Sequence, residues 1–315
     1  MKIVKYTSID KSRWDLFINK SKNATFLHLR DYMDYHSDRF TDFSLMCIDD
    51  NDNIIAVLPA NRVNNTLYSH QGLTYGGWII PIKGFSATTM LEVWQVMTEF
   101  LASQGIERLT YKAIPHIYHR YPAEEDIYAI FRANGAFHSS LISTTIPLDD
   151  SRLRFNENAR RSMKSALNND VIVEQSDDFE AYWNVLSQML KEQYNTTPVH
   201  SLEEIKLLQR RFPKNIKLYV AKHNEEVVAG SIIFFTHTVA HAQYIAATTQ
   251  GKTLKVLPLL FDYIISNECD NCRYFDFGTS NEDGGKYLNE GLITQKTGMG
   301  GRGIAYNTFE IEIKG

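Results

Sequence analysis

The stretch Ile216-Lys217-Leu218-Tyr219-Val220-Ala221 reads as a β-strand, and the polar run at 222–226 turns it back into a second candidate at 227–235. A third, at 241–247, completes a meander with a charged hairpin turn. Outward from it, residues 256–267 carry Leu257, Leu260, Phe261, Ile264 and Ile265 at helical spacing. A strand at 273–278, a short helix at 286–290 ended by Gly291, and a closing strand at 306–313 follow. The first half repeats this order. Strands at 44–48 and 54–60 flank a polar turn at 49–53, a third starts at Leu67, and a helix at 90–103 is closed by Gly105. A strand at 108–113, a helix at 127–134 ending at Gly135, and a strand at 140–147 complete it. Helical segments open each half, at 13–19 and 29–36, then at 179–194 and 202–211. The pattern predicts an α/β fold with mixed sheets: two β-β-β-α-β-α-β units in tandem, residues 1–150 and 151–315, with strands buried between helices.

Composition narrows the classes of function. The chain has 315 residues and a formal net charge of -4, so no global basic field favours nucleic acid. The N-terminus lacks the apolar core of a signal peptide, and no apolar run reaches the roughly 20 residues that span a bilayer. Three cysteines make no disulfide framework, which points to a reducing, cytoplasmic location without integral membrane association. Cys269-Asp-Asn-Cys272 lacks the second ligand pair that a structural zinc needs and reads as a turn after a helix. No metal site is expected, and no GxSxG, HExxH or Walker pattern supports a hydrolase or NTPase.

Between the halves, a linker helix at about 156–168 carries Arg160, Arg161 and Lys164 on neighbouring turns. It is either a solvated linker or a phosphate clamp, since guanidinium pairs suit phosphate geometry. The element order, with a strand Tyr274-Phe-Asp-Phe-Gly278, resembles the GNAT superfamily fold, and its tandem form resembles the FemABX and FemAB-like families. The run Asn158-Ala-Arg160-Arg161-Ser-Met-Lys164-Ser-Ala166 is similar to the basic helix opening the second FemABX domain. Gly291-Leu292 and Gln295-Lys296-Thr-Gly298-Met-Gly300-Gly301 are similar to that family's closing region. The resemblance implies acyl or aminoacyl transfer to an amine of a cell-envelope precursor, peptide or amino sugar, including nucleotide-linked acceptors. It implies no tightly bound cofactor, a donor that is either aminoacyl-tRNA or acetyl-CoA, and a carbonyl-polarising role for Lys296. Met299 and Gln295 stand where that family carries aromatics, and no helical-hairpin arm for tRNA is present.

The residues themselves support part of this chemistry. A fixed cation at Lys296 can stabilise a tetrahedral oxyanion. Asp276, flanked by Phe275 and Phe277, is either a desolvated base or a cap for the turn through Thr279 or Ser280. His70 is a second candidate base, within a cluster whose Tyr75, Gly76 and Gly77 let a backbone approach a ligand closely. Tyr244, Ser280, Asn281 and Arg302 are further candidate substrate contacts. Where GNAT enzymes carry a pyrophosphate loop, this chain has Gln250 and Gly251 without the other small residues. The site is expected in the cleft between the units. The readings set against the FemAB-like one are an acetyl-CoA-dependent N-acetyltransferase and a non-catalytic module binding a phosphorylated ligand.

Overall fold

Met1–Leu141, together with the stretch from Ala305 onward, forms one unit, and Ile142–Ile304 forms the other, in a computed structural model that describes residues 1–314. The division differs from a cut at 150: the closing strand assigned by sequence to the second half belongs to the first unit.

The first unit runs β1 (Lys2–Lys5), α1 (Lys11–Asn19), α2 (Arg30–Met33), β2 (Leu45–Ile48), β3 (Ile54–Leu58), β4 (Asn61–Val63), β5 (Thr66–Tyr68), α3 (Ala87–Ser103), β6 (Arg108–Lys112), α4 (Glu125–Arg132) and the start of β7 (Ala136–Pro147). β1, β2 and β3 form an antiparallel sheet, while β4 and β5 make a hairpin that sequence periodicity merged into its neighbours. β5 then pairs parallel with β6, and β6 pairs antiparallel with the chain's last strand, from Thr308 opposite Lys112 to Glu312 opposite Arg108. The apolar face of α3, with Met90, Val93, Met97 and Leu101, packs into a core shared with Trp78, Leu109, Ile311 and Ile313. A buried polar chain crosses it. The Trp78 N–H donates to Tyr111 Oη at 2.7 Å, and that hydroxyl donates to Asp126 Oδ2 at 2.6 Å. Burial pushes the Asp126 carboxyl up to about 6.

The second unit takes the rest of β7 and continues with α5 (Glu157–Asn168), β8 (Ile172–Ser176), α6 (Phe179–Tyr194), α7 (Leu202–Arg211), β9 (Ile216–His223), β10 (Glu226–Phe235), β11 (Val239–Ala247), α8 (Thr249–Leu254), α9 (Leu257–Asn267), β12 (Tyr274–Thr279), β13 (Asn281–Glu282), β14 (Tyr287–Leu288), α10 (Glu290–Gly298) and the start of β15 (Arg302–Glu312). Its sheet order is β7-β12-β11-β10-β9-β8; β11 and β12 run parallel and the other neighbours antiparallel. Side-chain caps set several helix starts: Asn156 for α5, Asp178 for α6, and a Ser201–Glu204 capping box for α7. Two glycines let helices seat on the sheet. A Cβ on Gly230 would lie 2.6 Å from the Tyr182 ring of α6, and one on Gly251 of α8 would lie 2.2 Å from the Val228 carbonyl oxygen.

The repeated α/β units with mixed sheets are present as read from the sequence, with one correction to an element. The short helix expected at 286–290 is absent. Tyr287–Leu288 is extended and pairs with Asn281–Glu282 across Gly284 and Gly285, whose φ values are 59° and 100°. The helix starts later, at Glu290, where Asn289 Oδ1 accepts the Leu292 N–H at 3.0 Å. Lys296 therefore lies within the last turn of α10 and not beyond a helix. No helix among the described residues is long and apolar enough to cross a membrane.

Each buried isoleucine contributes about 1.5–3 kcal/mol, so Ile311 and Ile313 tie the first unit to the C-terminus. Deleting the chain from Ala305 onward is expected to lower the first unit's melting midpoint and to concentrate early proteolytic cuts within residues 1–141. Cuts confined to the second unit would contradict this topology.

Candidate functional site

In the second unit the parallel pairing of β11 and β12 is short. Val239, Ala240 and His241 stand opposite Tyr274, Phe275 and Asp276, and there the pairing stops. β11 continues to Ala247 beside β10 alone, while β12 reaches Thr279 opposite Ser143 of β7. The strands part at the His241–Asp276 pair. A bulge in β12 between Asp276 and Thr279 adds to the divergence, with Gly278 at φ 75°, a conformation that glycine adopts without penalty.

The Asp276 side chain is fully buried, with 0% exposure. An ionised carboxylate in such a place needs a donor for each lone pair. Its Oδ1 accepts from the Ser143 hydroxyl, from Thr145 Oγ1 at 2.9 Å and from the Gly278 N–H at 3.3 Å. Its Oδ2 accepts from His241 Nδ1 at 2.8 Å. Asp276 thus caps the bulge through Gly278, where the sequence pointed to Thr279 or Ser280. With no surface of its own to offer a substrate, it can act on one only through His241. The His241 side chain keeps 13% of its surface. With Nδ1 committed to the carboxylate, the ring is held in one tautomer.

Lys296, on α10, reaches the same stretch of β12. Its side chain is buried, and Nζ donates to the Gly278 and Thr279 carbonyl oxygens at 2.8 Å each. Burial lowers its ammonium to about 8, opposed by the nearby Asp276 charge. An ammonium has three donors, so these two carbonyls leave capacity for one more acceptor. Ser280, next along, is buried, and its hydroxyl has no partner among the described residues.

A cavity of about 400 Å³ lies in this unit, between the start of α5, the α8–α9 junction and α10. Its lining includes Ala247 at the end of β11, Ser162 of α5 and Gln295 beside Lys296, and its only charged lining residues are Lys252 and Lys255. The glycines at 298 and 300 bring two segments together here. The Asn156 N–H donates to the Gly298 carbonyl at 2.8 Å, and a Cβ on Gly300 would lie 2.5 Å from the Leu153 carbonyl oxygen.

The first unit parts its parallel strands at the matching place and fills the gap itself. After Tyr68 stands opposite Thr110, the Ser69 N–H donates to the Thr110 carbonyl, and the Lys112 N–H donates to Ser69 Oγ at 2.7 Å. Lys112 Nζ then donates to the carbonyl oxygens of His70, Gln71 and Leu73 at 3.3, 3.3 and 2.8 Å. Burial lowers this ammonium, too, to about 8.

The remaining candidates fall in several places. His70 is buried at φ 62°, its ring stacked on His36 at 5.2 Å, and its Nδ1 accepts the Gly72 N–H. Burial, helped by the positive charges around it, pulls it down to about 3, too weak a base for chemistry near neutrality. Tyr75 packs on Tyr118 in the same unit, its hydroxyl 3.3 Å from Thr25 Oγ1. Gly76 and Gly77 face protein and not solvent: added Cβ atoms would meet the Ser69 carbonyl at 2.0 Å and the Tyr111 hydroxyl at 2.7 Å. Arg160, Arg161 and Lys164 lie on the exposed side of α5, whose Ala159 and Ser162 line the cavity instead. Tyr244 pairs with His200 Nδ1 at 2.6 Å and is pushed up to about 12 by burial. Asn281 accepts from the Ile142 N–H and donates to the Gly285 carbonyl, holding the β13–β14 hairpin. Arg302 is exposed at the edge of a shallower depression with Asn156 and Thr297. Gln250 is exposed beside His223, whereas Gly251 borders the cavity. His241 was not read from the sequence: nothing in it marks a histidine 35 residues before Asp276 as its cross-strand neighbour.

Residues 153–286 match the family described as the acetyltransferase (GNAT) domain. A FemX crystal structure superposes with a TM-score of 0.68 over 98% of this chain and 97% of that one, at 11% identity. The fold is a FemX-like tandem GNAT fold. The L-PGS structure from Bacillus licheniformis shares it at TM-score 0.62 and 11% identity, covering 96% of this chain and 92% of that chain. A tandem GNAT protein from the clavulanic acid biosynthesis pathway matches at 0.54 and 11% identity, over 100% and 99%. No curated protein sequence matches the chain. In this tandem GNAT fold the family match covers most of the second unit, which contains Asp276, His241 and the parted strands.

Asp276→Asn preserves shape but presents an amide donor where the histidine needs an acceptor. Its expected cost is about 1–3 kcal/mol in denaturant unfolding, with His241 shifting from the Nδ1–H to the Nε2–H tautomer by nitrogen-15 NMR. An unchanged tautomer would show that Asp276 does not orient the ring. Lys296, buried, and Lys112, half-buried, also leave a mark on stability. Their folded values near 8 lie below the ordinary 10.5, so the unfolded chain binds more protons between those limits. Their penalty is complete below about pH 8 and is relieved as pH rises toward 10.5. Lys112→Met is therefore expected to flatten the rise in melting midpoint between about pH 8 and 10.

Proposed function

We propose that the second unit transfers an acyl group to an amine, with the parting of β11 and β12 beside the Asp276–His241 pair as the observation that carries the reading. The amine nitrogen attacks the acyl carbonyl carbon, and a tetrahedral adduct forms. His241 Nε2 takes the amine proton and returns it to the leaving group as the bond to the donor breaks. Asp276 holds the ring and stabilises the imidazolium, the division of labour of an acid-oriented histidine. Lys296 supplies the remaining ammonium hydrogen to the oxyanion, which a single well-placed donor stabilises by about 3–4 kcal/mol. The Ser280 hydroxyl offers a further polar contact to the substrate.

The cavity supports an anionic donor, since its charged lining is wholly cationic. Acetyl-CoA and aminoacyl-tRNA both meet that requirement. The limited volume favours the arm of a CoA thioester, and the likeness to FemX favours the aminoacyl donor. For the acceptor we keep a cell-envelope precursor, peptide or amino sugar. The free state of all three cysteines fits a cytoplasmic location.

A donor screen by thermal shift tests the assignment, because a ligand of the native state raises the midpoint. A shift with CoA compounds selects the N-acetyltransferase; a shift with aminoacyl-tRNA mimics alone selects the FemAB-like reaction. With the productive pair in hand, Lys296→Met is expected to lower kcat about 10²–10³-fold. In the wild type, kcat/KM should fall as pH rises through about 8, where Lys296 loses its proton. Full activity in Lys296→Met, or a rate that climbs through that pH, would remove Lys296 from the mechanism.

A further inference from the structure

The turn between α9 and β12 contains two thiols that the transfer chemistry does not use. Cys269 and Cys272 are both free; Cys269 is buried in the core and Cys272 is partly buried against it. The Cys272 N–H donates to the Cys269 carbonyl at 2.8 Å, closing a four-residue turn with Asp270 and Asn271 at its centre. Such a turn holds its first and last Cα atoms within about 7 Å, and disulfides span about 4.4–6.8 Å. The backbone already has the closeness that a bridge requires.

The two sulfurs are unequal. A hydrogen bond from Cys269 holds the Cys272 thiol below its ordinary range, while that same bond and burial push Cys269 upward. Cys272, the less buried of the two, is the sulfur suited to attack, and the shielded Cys269 is suited to resolve the product. Charged and polar groups border the turn. Glu268, which accepts from Lys217 Nζ and from the Tyr219 hydroxyl, disfavours the Cys269 thiolate, and Arg152 opposes it more weakly. Asp270 and Arg273 flank the pair in sequence.

We propose that Cys269 and Cys272 form a reversible dithiol–disulfide site that reacts with low-molecular-weight disulfides of the glutathione class. The Cys272 thiolate attacks one sulfur of the small disulfide, forming a mixed disulfide and releasing one small thiol. Cys269 then attacks Cys272, forming the intramolecular bond and releasing the second thiol. Two protein thiols become one disulfide, one small disulfide becomes two thiols, and the two thiol protons leave with them.

The position gives such a site a route to the neighbouring strands. Immediately after the turn, the Arg273 and Tyr274 N–H groups both donate to the Thr238 carbonyl, at 2.7 and 3.0 Å, and the Leu148 N–H donates to the Arg273 carbonyl at 2.8 Å. The turn thus sets where β12 enters between β11 and β7, four residues before Asp276.

The test incubates the full chain with mixtures of reduced and oxidised glutathione and follows intact mass, with alkylation to locate free thiols. The wild type is expected to lose two hydrogens in a reversible step, leaving only Cys47 to be alkylated once the chain is unfolded, with Cys272 alkylated about tenfold or more faster than Cys269 in the folded, reduced protein beforehand. Cys269→Ser should stop at a mixed disulfide on Cys272, and Cys272→Ser should not react while folded. A stable mixed disulfide in the wild type, independent reaction of the two thiols, or no reaction short of unfolding would each overturn the proposal. Hydrogen exchange at 274–276 in the two redox forms reads the link to β12 separately.

Discussion

A carboxylate with no exposed surface constrains the second unit more than any other single group. Asp276 is stable there only because donors reach it from three strands: Ser143 and Thr145 on β7, Gly278 on its own strand, and His241 on β11. A buried carboxylate deprived of one such donor loses a hydrogen bond to a charged group, typically about 1.5–3 kcal/mol. β12 must therefore lie between β7 and β11, and its bulge must turn the Gly278 N–H back toward the side chain. The same bulge exposes the Gly278 and Thr279 carbonyls that hold Lys296. One buried charge thus sets strand order, backbone conformation and the position of a cation.

The two units meet similar geometry with different outcomes. Each parts a parallel strand pair, and each draws in a lysine whose ammonium is ringed by backbone carbonyls and lowered to about 8. In the first unit the lysine belongs to the strand itself and fastens residues 70–73 across the gap. In the second the lysine comes from α10, and an open cavity with a cationic lining lies beside that helix. A parted pair of strands is a property of the fold; whether it receives a ligand depends on the loop that follows it.

Glycines show how easily packing is mistaken for ligand binding. Gly76 and Gly77 suggested close approach of a backbone to a ligand, and close approach is what they provide, toward Ser69 and Tyr111. A residue without a Cβ signals that something comes near, without saying whether it is a ligand or the protein itself.

Periodicity alone was enough for the two α/β units, because apolar spacing of two or 3.6 residues records which face of an element is buried. It located α3, α6, α7, α9 and the β9–β10–β11 meander within a few residues. Lys296 stood out through a resemblance of local motif, and Asp276 through its place between Phe275 and Phe277. It misplaced the start of α10, although Asn289 followed by Glu290 is a capping signal that the sequence does contain. The closing strand's membership of the first unit and the His241–Asp276 pair were not legible, because both join residues far apart along the chain. Local pattern determines what each segment becomes. Partners across a sheet depend on strand order and register, and those are decided only when the whole core packs.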